Sequence, residues 1–207
     1  AAAARCLTMP RSVVLIDLSA IFWTRWHAAA GRDFDAPLHE TLTAVDRLAE
    51  QADIAVICCD EGVSFRREIS ADYKANRPPK PEEARAQLDQ VIEVLAGRYV
   101  LLSVGTLEAD DLIATATQQA RAAGLEVVIA SGDKDLLALV GEGVRLHSTH
   151  SGVNMGPAEV AALPRTARQV RHAHLVLVAE FVPAHVGVAG WLPGRLTVHA
   201  FAAANLA

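Results

Sequence analysis

The stretch EADDLIATATQQARAAGLEVVIASGDKDLL, residues 108–137, contains two structural patterns in succession. It opens with a group of acids, continues as a segment that ends at Gly124, and then becomes the apolar run LEVVIA (125–130). Glycine directly after the last helical residue is typical of a helix C-terminus. A short, continuous apolar run is typical of a strand that is buried on both faces. The stretch therefore predicts a helix over residues 108–123, a buried strand, and a second acidic group from Asp133.

The same alternation of strands and helices extends on both sides of this stretch. Alternation of this kind, with continuously apolar strands, indicates an α/β fold with a parallel sheet. Apolar runs predict further strands at 12–18, 53–59, 99–104 and 144–148, and helical spacing predicts helices at 38–52 and 82–96 and a short helix at 133–140.

The composition is that of a folded protein. The 207 residues are 52% hydrophobic and 21% charged, which excludes a disordered or fibrous chain. A formal net charge of -5 argues against a uniformly basic nucleic-acid-coating domain, although local basic patches remain possible. Cys6, Cys58 and Cys59 have no disulfide or zinc spacing, so we expect a reducing, cytoplasmic compartment and two buried thiols at 58–59. No stretch is apolar and long enough to span a membrane, and Asp17 interrupts the N-terminal apolar run, so we expect no signal peptide.

Acidic residues follow four predicted strands at the point where each strand ends. Parallel α/β sheets bind ligands beyond the carboxyl ends of their strands. Any one of these acids has a simpler role as a helix cap or as a partner of the helix dipole. Capping does not account for three acids within 108–111, for a further pair at 133–135, or for Asp17 at the end of an apolar strand. The full set is Asp17, Asp60, Glu108, Asp110, Asp111, Asp133 and Asp135.

These carboxylates at one sheet edge would repel one another unless protonated or neutralised. Carboxylate oxygens without nearby cysteine or histidine select Mg²⁺ or Mn²⁺ over zinc. Sites of this type, often with two ions, hydrolyse phosphodiesters by activating water and holding the leaving oxygen. The acids therefore predict a divalent-metal site.

A basic segment, FRREISADYKANRPPK (65–80), follows the second predicted strand and Asp60. It is either a solvated charged loop or a surface that contacts phosphates through its cations and stacks a base on Tyr73. Its position directly after Asp60 favours nucleic-acid binding. The residues assigned to that role are Arg66, Arg67, Tyr73, Lys74, Arg77 and Lys80.

These segments, taken in order, resemble the 5′ nuclease superfamily, which includes flap endonucleases and the 5′–3′ exonuclease domain of bacterial DNA polymerase I. The matching pieces cover roughly residues 12–150, and the pairing of EADDLIA with SGDKDLL is the most specific of them. The resemblance implies a PIN-like three-layer α/β fold with a central, mainly parallel sheet and a helical arch over about residues 61–85. It further implies metal-dependent cleavage of DNA that carries 5′ single-strand flaps or ends. On this basis we expect an N-terminal tag or disordered extension (1–11), a PIN-like nuclease core (12–163) and a diverged C-terminal segment (164–207).

The resemblance also implies roles for individual residues. Lys74 and Arg77 would contact the scissile phosphate as catalytic residues, and Arg66, Arg67, Tyr73 and Lys80 would bind DNA. The first metal ion, Mg²⁺ or Mn²⁺, would be held by Asp17, Asp60, Glu108, Asp110 and Asp111, and the second by Asp133 and Asp135.

The chain departs from the family pattern after Asp135, where no further aspartate occurs. The family continues with a Gly-Asp-x-x-Asp-Asn segment and a helix–hairpin–helix that grips duplex DNA. Here the nearest counterpart is residues 179–196, with Glu180 and Pro183 at the positions of the missing acids. We therefore expect a weak second metal site and a degenerate or absent helix–hairpin–helix.

Two other functions remain open on the sequence. A catalytically weakened homologue would bind branched DNA without efficient cleavage, which the missing later acids favour and the seven earlier acids oppose. A small PIN-type ribonuclease would need only about four carboxylates, but the segment DYKANR (72–77) argues against that class.

Overall fold

The computed structural model describes residues 11–29, 34–70 and 72–164, together with the backbone of 194–197. Residues 1–10 of the predicted N-terminal extension (1–11) and most of the C-terminal segment, including Glu180 and Pro183, lie outside these residues. No helix among the described residues is long and apolar enough to cross a membrane.

The described strands form one mixed sheet in the order β6-β5-β4-β1-β2-β3-β7. All neighbouring strands pair in parallel except β5 and β6, which are antiparallel. The α/β fold with a mainly parallel sheet is therefore confirmed. All five predicted strands are present, and β6 and β7 are additions. The bounds are β1 Ser12–Asp17, β2 Ile54–Asp60, β3 Val100–Val104, β4 Glu126–Ser131, β5 Val144–Ser148, β6 Asn154–Met155 and β7 Gly194–Thr197.

Three of the described helices, α1, α3 and α6, were not predicted from helical spacing in the sequence. α1 directly follows β1, and its sequence LSAIFWTRWHA places apolar residues on nearly every side, so it shows no clear period of 3.6. The predicted helices are all present, although the segment 133–140 forms a 3₁₀-helix. The bounds are α1 Leu18–Ala28, α2 Ala36–Ala49, α3 Arg66–Ile69, α4 Glu82–Ala96, α5 Ala109–Ala122, the 3₁₀-helix Lys134–Leu139 and α6 Pro157–Ala162.

Helices cover both faces of the sheet. Alternate residues of β1 point to opposite faces, so Val13 and Leu15 pack into the core under α5, whereas Val14 and Ile16 pack into the core under α1, α2 and α4. All four side chains are completely buried. Because β1 lies in the middle of the sheet between these two cores, the fold has the three layers that were predicted.

The chain directions bring the acidic strand ends to one edge of the sheet. Asp17 and Asp60 are the last residues of β1 and β2, which pair in parallel. Gly62, with φ of +65°, then packs its Cα against the backbone of Gly105, leaving no room for a side chain. This close approach holds the segment after β2 against the β3–α5 connection, at the start of the acidic helix.

Candidate metal and nucleic-acid site

The first turn of α5 is fixed to the end of β2. The Asp60 carboxylate accepts a hydrogen bond from the backbone N–H of Ala109 at 2.8 Å. The Asp111 carboxylate accepts another from the backbone N–H of Glu108 at 3.1 Å. Acids are favoured here because the first backbone N–H groups of a helix have no partner within the helix. These bonds set the positions of Glu108, Asp110 and Asp111 relative to Asp60.

Asp17 lies buried between β1 and β4. One carboxylate oxygen caps α1 by accepting from the N–H of Ala20 at 3.0 Å, and the other accepts from the Ser131 hydroxyl at 2.7 Å. Burial raises the pKa of Asp17, and the nearby charges of Asp60 and Asp133 raise it further. These effects outweigh the two hydrogen bonds, which favour the ionised form.

Asp110 is a strongly perturbed carboxyl group of the site. Burial, followed by repulsion from Asp17, Asp133, Asp60 and Asp111, raises its pKa to about 8. No ion pair with Asp110 occurs in the described part of the chain. The structure thus brings acids from the ends of β1, β2 and β4 and from the start of α5 within electrostatic range of one another.

The two acids after β4 differ from each other. Asp133 caps the 3₁₀-helix, with its carboxylate accepting from the N–H of Asp135 at 2.8 Å, and its own N–H donates to the Ser131 hydroxyl at 3.0 Å. The charge of Asp133 acts on both Asp17 and Asp110. Asp135 is exposed and is not among the charges that perturb these two groups. Asp133 therefore lies at the acidic cluster, whereas Asp135 lies at its rim.

Arg66 and Asp111 form a buried ion pair. The two guanidinium nitrogens donate to the two carboxylate oxygens at 2.7 and 2.6 Å. Asp111 is 0% exposed and Arg66 is 9% exposed. This placement differs from the sequence-based prediction for Arg66, because a phosphate contact requires a guanidinium that faces solvent. The bidentate partner and the one-turn helix α3 direct the side chain inward.

Two further residues of the arch segment (61–85) contact Glu108. Lys74 donates to one Glu108 oxygen at 2.7 Å, and the Tyr73 hydroxyl donates to the other at 3.0 Å. Burial lowers the pKa of Lys74, but the hydrogen bond and charge of Glu108 outweigh it, so the pKa is raised. Lys74 also has a φ of 55°, in the left-handed region that a lysine rarely adopts. Lys74 is therefore a fully charged ammonium held over the acidic helix start.

The remaining cations of the arch segment lie at the surface. Arg67 and Arg77 are exposed. The Lys80 ammonium is also exposed and lies 4.8 Å from the centre of the Trp23 ring on α1. These three positions are compatible with the DNA-binding and catalytic roles predicted for them, which stay predictions.

A groove beside Asp133 was not predicted from the sequence. It has a volume of about 760 Å³ and runs between α1 and the end of β4. Trp23 and His27 line one side, and His150 lines the other, with its imidazole packed against Gly132. Isolated aromatic and histidine residues give little signal in a sequence, and only the packing of α1 beside β4 brings these together.

The donor chemistry of the site suits a hard divalent cation. Every acid at the edge offers carboxylate oxygens, and Asp110 has its charge uncompensated by any described cation. Mg²⁺ needs only one or two protein carboxylates, because it keeps several of its waters. As they stand, no three His, Cys, Asp or Glu side chains of the described residues lie close enough together to form a ready-made metal cage. The residues fit a Mg²⁺ or Mn²⁺ ion in charge and donor type.

A parallel α/β domain with clustered acids at its strand ends, below a basic segment, has the arrangement of a metal-dependent nuclease domain. The family comparison is specific. Residues 12–163 match the model of the 5′-3′ exonuclease, N-terminal resolvase-like domain, and the chain belongs to this family. The resemblance predicted from the sequence is confirmed.

Bacterial DNA polymerases I are among its relatives. The chain is 34% identical over 149 residues to DNA polymerase I of Pseudomonas aeruginosa, an alignment covering 68% of this chain and 16% of the relative. It is 43% identical over 93 residues to that of Mycobacterium leprae, covering 44% and 10%. The chain therefore spans about a sixth or less of the length of these relatives.

Solved structures show the same fold. The T5 D15 protein co-crystallised with metal ions has a TM-score of 0.62 at 19% identity, covering 70% of this chain and 58% of that one. The T5 D15 flap endonuclease in a pseudo-enzyme-product complex with DNA and metal ions has a TM-score of 0.59 at 21% identity, with the same coverage. The PIN-like α/β fold is confirmed by these matches.

Proposed function

We propose that this chain is a divalent-metal-dependent 5′ nuclease domain that hydrolyses DNA phosphodiesters at 5′ single-strand flaps or ends, in replication or repair. The observation that carries the proposal is the convergence of Asp17, Asp60, Asp110 and Asp133 at one edge of the sheet, in a domain of the 5′-3′ exonuclease family. A carboxyl group with a pKa of about 8 is only partly ionised near neutral pH, and a bound cation favours its ionised form. The buried thiols of Cys58 and Cys59 suit a reducing cytoplasm.

The first ion would be held by acids at the junction of β2 and α5, namely Asp60, Glu108 and Asp110, with Asp17 behind them. When bound, Mg²⁺ or Mn²⁺ stabilises negative charge on phosphate oxygens and lowers the pKa of water. Asp17 already has both oxygens in hydrogen bonds with Ala20 and Ser131, so its main contribution is charge.

The arch segment supplies the positive charge on the substrate side. Lys74 now donates to Glu108, and in the proposed mechanism it moves to a phosphate oxygen when DNA enters. Arg77 is exposed three residues further on and adds a second cation. Tyr73 supplies a ring on which a base can stack. Lys74 and Arg77 would stabilise the charge that develops on the phosphate during hydrolysis, which is where a preorganised cation has its largest effect.

A second ion would bind beside Asp133 and Asp135, and we propose that it binds more weakly. Asp133 lies at the cluster, but Asp135 is exposed at the rim. Residues 136–207 contain no aspartate. This favours one alternative function, a homologue that binds branched DNA but cleaves it slowly. If the second site limits the rate, Mn²⁺ should support faster cleavage than Mg²⁺.

A cleavage and binding assay on a 5′-labelled flap substrate tests these functions. With Mn²⁺ or Mg²⁺ we expect short 5′-labelled products, and with EDTA we expect none. Asp110→Asn should remove cleavage and leave binding of the flap in EDTA within about threefold, because the arch cations supply the phosphate contacts. Binding without metal-dependent products would favour the non-cleaving homologue. Absence of both binding and cleavage would contradict the proposed function.

A further inference from the structure

Asp110 and Asp111 are adjacent, but their carboxylates have opposite surroundings. Asp110 is partly exposed and makes no ion pair among the described residues. Asp111 accepts three hydrogen bonds, two from Arg66 at 2.7 and 2.6 Å and one from the N–H of Glu108 at 3.1 Å. Among the described residues, the Asp110 carboxylate thus has no cationic partner, whereas the charge of the adjacent Asp111 is neutralised by Arg66.

The Arg66 guanidinium connects Asp111 to the arch segment. It lies 3.4 Å from the Glu108 carboxylate and packs over the rings of Phe65 and Tyr73, at 5.1 and 5.9 Å from their centres. Glu108 in turn accepts from Tyr73 and Lys74. Arg66 therefore lies at the centre of a network that joins the start of α5 to both ends of the segment 65–74.

Making Asp111 a metal ligand would be energetically unfavourable in this arrangement. Its oxygens would have to leave the bidentate pair, and the buried guanidinium of Arg66 would lose its partner. Removing one partner of a buried ion pair is strongly destabilising, because it leaves an uncompensated charge in the interior. Asp110 has no such partner to lose, so a cation entering the edge gains more from Asp110 than from Asp111.

We propose that Arg66 and Asp111 form a positioning pair that anchors the arch to α5, and that Asp111 is not a ligand of the metal ion. The inference rests on the proposed metal site and assigns a different role to one of its acids. The pair acts through its neighbours: it fixes the start of α5, which carries Glu108, and it holds Tyr73 and Lys74 above the acidic edge. Its loss should therefore free the arch segment and leave metal binding largely intact.

The experiment compares Asp110→Asn with Asp111→Asn in the full chain, because the two substitutions remove equal charge from adjacent positions. Calorimetric titration with Mn²⁺ in the absence of DNA measures metal affinity. We expect Asp110→Asn to weaken Mn²⁺ binding by about tenfold or more and Asp111→Asn by less than about threefold, since affinity follows the charge of the ligating oxygens.

Limited trypsin digestion of the same proteins measures anchoring of the arch, which contains cleavable bonds after Arg67 and Lys74. We expect Asp111→Asn and Arg66→Lys to increase the rate of cleavage in this segment by about tenfold, because a lysine keeps the charge but cannot form the bidentate pair. Asp110→Asn should leave that rate unchanged. In steady-state cleavage of a flap, Asp111→Asn should lower kcat with little change in KM, as expected when Lys74 is misplaced.

The double variant Arg66→Met with Asp111→Leu covers the case in which Asp111→Asn does not fold, since apolar residues of similar volume can replace a buried ion pair. It should bind Mn²⁺ like the unmodified chain. The proposal is overturned if either Asp111 variant loses Mn²⁺ affinity as Asp110→Asn does, or if trypsin sensitivity does not change. If the unmodified chain binds no Mn²⁺, the proposed function fails, and the trypsin result still decides whether the pair anchors the arch.

Discussion

The two flanks of the acidic edge balance their charge in different ways. On the α5 flank, Glu108 and Asp111 each contact a cation of the arch segment, Lys74 or Arg66. On the β1–β4 flank, Asp17 has only neutral donors, the N–H of Ala20 and the hydroxyl of Ser131. Asp110 lies between the flanks and experiences the repulsion of both.

This difference indicates where a cation enters the molecule. On the α5 flank, Asp111 gains little from an added ion, because Arg66 already compensates its charge. Glu108 becomes available to an ion when Lys74 moves to a phosphate oxygen, as proposed above. The flank with neutral donors keeps excess negative charge, and its carboxyl groups respond by holding protons. Metal binding should therefore displace protons from Asp110 and Asp17, whose pKa values are raised.

The largest expected effect is a pH dependence of stability in the metal-free protein. Because the pKa of Asp110 is raised from 3.8 to about 8, its protonation stabilises the fold fully below about pH 4, and this stabilisation is lost as the pH rises to about 8. The full shift corresponds to on the order of 5 kcal/mol in free energy of unfolding. Urea denaturation at several pH values with EDTA measures this slope, and Asp110→Asn should flatten it. If the free energy of unfolding of the variant depends on pH just as steeply, Asp110 is not the group whose protonation stabilises the metal-free protein.

Breaking the compensated flank should have the next largest effect. Arg66→Met leaves the Asp111 carboxylate buried without its partner, so the free energy of unfolding at pH 7 should fall by about 3–5 kcal/mol. Arg67→Met is the matched control, because Arg67 is exposed at the adjacent position, and it should change stability by less than about 0.5 kcal/mol. If Arg66→Met and Arg67→Met lower the free energy of unfolding by the same amount, the buried pair of Arg66 with Asp111 does not stabilise the protein more than an exposed arginine does. Chemical denaturation of the three proteins side by side gives the comparison.

The contrast between Arg66 and Arg67 also shows what the sequence can predict. Strand β5 at 144–148 and helix α4 at 82–96 have the predicted bounds, because their apolar patterns report directly on burial. The positions of the acids at strand ends follow from chain direction in a parallel sheet.

The details of the site depend on contacts between distant parts of the chain. Adjacent arginines have equal propensities, and only the one-turn helix α3 against α5 directs Arg66 inward and Arg67 outward. The same holds for Asp110 and Asp111, which are one position apart on a helix and so point in different directions. The sequence could therefore identify the acidic edge of the sheet, but it could not show which of the acids pairs with a cation of the protein and which does not.

Lys74 tests whether the compensated flank also serves the substrate. Lys74→Ala should lower the rate of flap cleavage by about 100-fold, close to the effect of removing one transition-state donor, and should weaken DNA binding by less than about threefold. Lys134→Ala is a matched control, because Lys134 is an exposed lysine on the other flank. Any loss of cleavage should equal its loss of binding, because removing an exposed lysine removes only a general electrostatic attraction to DNA. Single-turnover cleavage and binding titrations on the same labelled flap separate the two effects. If Lys74→Ala lowers the cleavage rate and the DNA affinity by the same factor, Lys74 binds the substrate without stabilising the transition state.

The smallest expected effect concerns Ser131, whose hydroxyl connects the acids of the uncompensated flank. It donates to Asp17 at 2.7 Å and accepts from the N–H of Asp133 at 3.0 Å. Ser131→Ala should therefore lower the free energy of unfolding by about 1–2 kcal/mol and raise the pKa of Asp17 further. Ser103→Ala is the control, because Ser103 is equally buried and its hydroxyl has no hydrogen-bond partner in the described part of the chain. Its removal should be nearly neutral in thermal and urea denaturation. If Ser103→Ala costs as much as Ser131→Ala, the loss reflects packing of a buried serine and not the hydrogen bonds that hold Asp17 and Asp133 together.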